Sequence, residues 1–238
     1  MNKSVLVFLI SLFVYSTSFA GYSTTSFDEH PIKTSNSFTA FSVDFYTKLN
    51  DTSLDFDAFK FALKGYVKLQ NDEALTNTQF LTVIDMSVSS NQERFFIIDM
   101  ETQQIVFKTH VAHGQNSGGE FAKKFSNRIN SHQSSIGFYK TAETYMGKHG
   151  FSMRLDGLEY TNSNARARAV VIHQADYVEK DYITKNGRLG RSFGCPSLPK
   201  ENYNEIIHSI KEGSCLFIYY PEEHYLEKST LLNADLQA

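Results

Sequence analysis

Phe80-Leu81-Thr82-Val83-Ile84-Asp85-Met86, Arg94-Phe95-Phe96-Ile97-Ile98-Asp99 and Ile105-Val106-Phe107-Lys108-Thr109-His110-Val111 decide the fold. Each is a short run of β-branched and aromatic residues, which suit a pleated, partly buried surface. Ser90-Asn91-Gln92-Glu93 and Met100-Glu101-Thr102-Gln103 separate them with polar turn residues, so the three runs read as a meander. Gly137–Thr141, Phe151–Leu155, Ala169–His173 and Leu216–Tyr220 continue the strand pattern. One helix is expected late, from about Pro199 to Lys211. It carries Ile206, Ile207 and Ile210 on one face, with Pro199 near its start and Gly213 past its end.

Upstream of Phe80 the period is helical. Phe56, Phe59, Leu63, Tyr66 and Val67 form one stripe, with Asp55 or Asp57 placed to cap it; Phe38, Phe41, Val43, Phe45 and Leu49 form a less regular one. The expected architecture is mainly β, of the α+β class. A helical segment at 37–72 packs on a β-rich domain at 73–221, and a tail occupies 222–238. Residues 21–36 are Ser/Thr-rich and read as a flexible leader. Before them, Lys3, the apolar run Val5–Val14 and Ser18-Phe19-Ala20 have the layout of a secretory signal at 1–20. That run is shorter than the roughly 18–20 residues a bilayer needs. The expectation is an exported protein, periplasmic or extracellular, with no stable membrane span after cleavage.

Composition narrows the function. Of 238 residues, 41% are hydrophobic and 21% charged, which supports a packed core and excludes a disordered chain. With 23 Lys+Arg against 26 Asp+Glu the net charge is −3, so no basic excess is present to neutralise a nucleic acid. Neither Cys-x-x-Cys nor His-Glu-x-x-His occurs, and residues spaced like His110 and His113 point to opposite faces of a strand. No metal and no cofactor is expected.

The two cysteines sit in different contexts. Cys215, in Ser214-Cys215-Leu216-Phe217-Ile218-Tyr219-Tyr220, reads as a small hydrophobe in a buried strand; Cys195 lies in the turn Gly190-Arg191-Ser192-Phe193-Gly194-Cys195-Pro196. Those contexts argue against a bridge, although export would permit one. A Gly before the Cys lets the backbone turn sharply and present N–H groups to an oxyanion, and Arg188 and Arg191 favour a thiolate. The turn alone leaves a nucleophile and an ordinary buried thiol equally open. His173 ends the apolar run Ala169-Val170-Val171-Ile172, which sets it at a strand rim, and a thiol nucleophile uses a His base. His113-Gly114-Gln115-Asn116-Ser117-Gly118-Gly119 and the loop holding Asn127, Ser131, Ser134 and Ser135 either line a site or form turns.

His173 followed, after residues 174–191, by Ser192-x-Gly194-Cys195 resembles the L,D-transpeptidase catalytic domain of the YkuD type. Val111-Ala112-His113-Gly114-Gln115-Asn116-Ser117-Gly118, Phe125-Ser126-Asn127, Ser134-Ser135-Ile136-Gly137-Phe138-Tyr139, Arg154-Leu155-Asp156-Gly157-Leu158 and Gly187-Arg188-Leu189-Gly190-Arg191-Ser192-Phe193-Gly194-Cys195-Pro196 are similar to its murein branch. The resemblance spans roughly residues 55–221. It implies a β-sandwich-like catalytic domain and a cysteine acyltransferase that acts on peptidoglycan stem peptides through a thioester. Cys195 is then the nucleophile and His173 its base. Gly194, Ser192 and Phe193 support the loop and its oxyanion donors. Arg188, Arg191, His113, Asn127 and Ser135 are the candidate substrate contacts. Three positions depart from the family pattern: Phe193 stands where His is usual, Ser197 where Asn or Arg is usual, and Gln174 where Gly is frequent. The departures leave open a carboxypeptidase- or endopeptidase-type hydrolase of wall peptides, and a wall-binding protein without activity.

Overall fold

The computed structural model describes residues 35–236. The secretory-signal reading at 1–20 and nearly all of the leader lie outside them. Two helices open the described chain, α1 (Ser35–Leu49) and α2 (Phe56–Asn71). Asp55 caps α2, its carboxylate accepting the Ala58 N–H at 3.0 Å. The helical stripe buries Phe59, Leu63, Tyr66 and Leu69, and the Phe45 and Phe59 rings meet edge to face at 5.4 Å.

The strands are β1 (Phe80–Asp85), β2 (Phe95–Asp99), β3 (Gln104–Thr109), β4 (Gly137–Gly147), β5 (Gly150–Gly157), β6 (Val171–Gln174), β7 (Ser197–Leu198) and β8 (Cys215–Tyr219). Helices α3 (Lys180–Asn186), α4 (Tyr203–Ile210) and α5 (Glu223–Lys228) complete the order. All eight strands join one mixed ladder, β3-β2-β1-β8-β4-β5-β6-β7. The fold is therefore α+β with N-terminal helices, as expected, and β1–β3 form the antiparallel meander.

β8 returns to the middle of the ladder, parallel to β1 and antiparallel to β4. Its five residues are all buried, which explains its unbroken apolar sequence. Helix α2 lies against β1 and β8. At Gly65 a Cβ would come within 2.0 Å of the Phe138 ring, so only glycine permits that approach. Phe138 stacks on Phe217 at 4.2 Å in the main core.

The structure adds to, or shifts, the elements expected from the sequence. β4 and β5 extend to a tight hairpin whose tip is Lys148-His149. α3 follows β6, and the two-residue β7 pairs with it. α4 starts at Tyr203, later than Pro199, after Asn202 in a left-handed conformation. Residues 222–236, read as a tail, contain α5. Its Tyr225 is fully buried and donates to the Glu159 carboxylate at 2.7 Å.

Candidate active site

β6 and β7 build the site. They pair in parallel with His173 opposite Ser197, which places the His at the strand rim beside the turn that ends at Cys195. Ser192 braces that turn: its hydroxyl donates to the Cys195 carbonyl at 2.7 Å and accepts the Gly194 N–H at 3.0 Å. Gly194 adopts φ +124, and a Cβ there would meet the Gln133 carbonyl at 2.7 Å, so the position requires glycine. The Gly194 N–H is spent on Ser192. The Cys195 N–H has no acceptor among the described residues and is free to meet an oxyanion.

Cys195 and His173 line one cleft of about 430 Å³, together with Tyr145, Lys148, His149, Arg168, Tyr177, Arg191, Ser192 and Phe193. His173 is buried and fully bonded. Nδ1 contacts the Gln174 carbonyl at 2.8 Å, and Nε2 contacts the Ser197 hydroxyl at 3.0 Å. A carbonyl only accepts, so Nδ1 carries the proton and Nε2 is the bare, basic nitrogen. Ser197 donates to it and in turn accepts from the Tyr177 hydroxyl at 2.9 Å. The His149 ring stacks on His173 at 4.4 Å, bringing the hairpin tip over the base.

Burial lowers the His173 pKa, and burial raises that of the Cys195 thiol, against the pull of the Val171 N–H and of Arg168 and Lys148. At neutral pH the resting pair is thus a neutral thiol and a neutral imidazole. The arginine-lowered thiol expected from the turn is not the net result, because desolvation outweighs the nearby cations. The thiol points to the Ala169 carbonyl at 3.6 Å.

The other sequence candidates are dispersed. Arg191 reaches the cleft, its guanidinium held by the Gln115 and Gly118 carbonyls at 3.1 and 2.8 Å. Phe193 stands 68% exposed at the mouth, stacked on His132 at 4.5 Å. Arg188 folds back onto the Leu189 carbonyl at 2.7 Å and does not line the cleft. His113 has no exposed surface and bonds Arg94 at 2.8 Å, which makes it a support under the loops and removes it from contact with a substrate. Asn127 ties Tyr160, Ser163 and Asn164 together; Ser135 is spent on Ser126 and Arg168. Neither lines the cleft, and both act as loop staples: Asn127 holds residues 160–164, and Ser135 sits behind Arg168, which does line it. Sequence reasoning missed Arg168, Tyr177 and Ser197. For Ser197 a signal existed, since it replaces a polar family position two residues after the Cys. Among the described residues no cluster of three or more His, Cys, Asp or Glu is arranged to hold a metal.

A sequence-family model described as the L,D-transpeptidase catalytic domain matches residues 50–219. The chain belongs to that family. No curated protein matches it. Among solved structures it is similar to an L,D-transpeptidase from Mycobacterium smegmatis, at 13% identity and TM-score 0.38, over 60% of this chain and 59% of that one. It is also similar to an L,D-transpeptidase from Stackebrandtia nassauensis, at 12% identity and TM-score 0.37, over 80% and 82%. A third is the helical cell shape determining protein Pgp2 from Campylobacter jejuni, at 12% identity and TM-score 0.38, over 67% and 57%. The chain spans under two thirds of the Mycobacterium structure it is similar to. No helix among the described residues is long and apolar enough to cross a membrane.

Proposed function

We propose that this L,D-transpeptidase-family protein is an exported cysteine acyltransferase that acts on peptidoglycan stem peptides. One observation carries the reading: Cys195 and His173, on separate elements, share one cleft with no carboxylate in its lining. Substrate binding brings the thiol to the basic Nε2 of His173, which accepts the proton as the sulfur attacks the peptide carbonyl. The oxyanion is held by the Cys195 N–H. Collapse expels the amine of the terminal D-residue, which takes the proton from Nε2 and leaves a thioester. An acceptor amine then attacks the thioester, giving its proton to Nε2, and the thiol re-forms as the new amide leaves. Gln174 keeps the ring in the Nδ1–H form throughout. Arg191 is the contact for a stem-peptide carboxylate, as Arg binds carboxylates through two parallel hydrogen bonds.

Incubation with purified sacculi, followed by mass analysis of the muropeptides, tests this. Cross-linked products that require Cys195 establish transfer. Shortened monomers alone would establish the hydrolase, and unchanged sacculi would leave the wall-binding reading.

A further inference from the structure

Arg168 is a charged group surrounded by neutral oxygens. Its guanidinium donates to the Ser126 carbonyl at 2.7 Å, the Gln133 carbonyl at 2.5 Å, the Ser131 hydroxyl at 3.2 Å and the Ser135 hydroxyl. Among the described residues no carboxylate pairs with it. Arg166, two positions earlier, by contrast binds both Asp156 and Glu143. The other arginine buried in loop carbonyls, Arg94, feels the charge of Asp85, whereas the ionisable neighbours acting on Arg168 are Tyr139 and Cys195. A half-buried cation without a counter-ion is unfavourable unless a negative charge arises beside it. The guanidinium packs directly under the nucleophile turn, since a Cβ at Gly194 would sit 3.1 Å from Nη2. It also lines the cleft.

We propose that Arg168 is the built-in counter-charge of the Cys195 thiolate, held rigid by the 126–135 loop. It makes ionisation of the sulfur possible in a cleft that otherwise opposes it. The inference rests on Cys195 being the nucleophile, but its test needs no wall substrate. The other groups facing Cys195 are Lys148 and His149 from the hairpin tip, Tyr139 on β4 and His173 on β6. Tyr177 after β6 and Arg191 on the turn complete the set. Of the cations, Lys148 is exposed and screened by salt, and Arg191 is turned to the Gln115 and Gly118 carbonyls.

The measurement is the rate of Cys195 alkylation by iodoacetamide between pH 5 and 10, with peptide mapping to assign the label. Arg168 shares the cleft with Cys195 and its charge acts on the thiol; a neighbouring opposite charge moves a pKa by about one unit or more, so Arg168→Gln should slow alkylation at pH 7 roughly tenfold or more. At high pH, where the thiolate forms unaided, its rate should meet that of the wild type. Arg168→Lys keeps the charge and loses the fork, and should stay within about threefold of wild type at pH 7. Lys148→Gln in 0.5 M salt should also stay within about threefold. Equal losses in the Lys and Gln variants would mean that Arg168 only ties loops, and overturn the proposal. A Gln variant with the wild-type profile would do the same. Should Arg168→Gln fail to fold, the Lys variant decides alone: a loss greater than about tenfold at pH 7 overturns the inference.

Discussion

The basic nitrogen of His173 is occupied in the resting site by Ser197: Nε2 and Oγ lie 3.0 Å apart, and the Tyr177 hydroxyl stands 2.9 Å behind Oγ. Ser197 and His173 are opposite residues of the β6–β7 pair, so backbone register sets their distance. Together with the Gln174 carbonyl, this fixes the ring at both nitrogens.

Ser197→Ala should therefore lower kcat with little change in KM. One lost hydrogen bond of about 1–1.5 kcal/mol corresponds to roughly tenfold. The hydroxyl donates to the neutral ring, so its removal should move the acidic limb of the pH profile to higher pH. Tyr177→Phe should act in the same direction with smaller size. An unchanged pH limb in Ser197→Ala would show that the bond has no part in holding the base.

Cys195→Ala should abolish turnover and leave the melting temperature within a few degrees of wild type. The side chain is half-buried in a loop braced by Ser192, so its loss opens little cavity. Turnover at the wild-type rate would remove Cys195 from the mechanism.

His173→Ala should slow acylation by about 10²–10⁴, the range of a positioned base. The deficit should shrink at high pH, where hydroxide ionises the thiol. A deficit constant across pH would point to substrate positioning instead.

Cys215 should stay unlabelled when the native protein is alkylated, with Cys195 taking the single label. Cys215 is wholly buried in β8, and desolvation drives its thiol pKa up. Both thiols are free. Two labels per native chain would contradict the burial.

Acid should weaken the fold through His113. Burial, with Arg94 adding, pushes its pKa down to about 3, while the unfolded side chain titrates near about 6.5. Between those values the unfolded chain binds more protons, so stability present above pH ~6.5 is lost as pH falls toward 3, by on the order of 4 kcal/mol. Denaturant unfolding at pH 7 and pH 4 checks this. His113→Gln should show a smaller difference between the two pH values than wild type, and equal differences would assign the acid loss elsewhere.

The sequence by itself determined the strand-rich core and the N-terminal helices, and it singled out Cys195 and His173 as candidates, which the family resemblance turned into the proposed pair. Those signals are local: the period of apolar side chains, a cap at Asp55, a glycine before a cysteine, a histidine ending an apolar run. Tertiary structure decided which polar residues attend them. Arg191 stays at the cleft, while Asn127 and Ser135 are consumed by hydrogen bonds to neighbouring loops, and His113 is buried against Arg94 with no surface to offer a substrate. Arg168 lies in an unremarked stretch, and only the meeting of the 126–135 loop with the Cys195 turn places its charge under the nucleophile. Ser197 acquires its role from the pairing of β6 with a two-residue strand too short to show any period. Hydrogen-bond partners distant in sequence are chosen by register and loop packing, which a one-dimensional pattern does not encode.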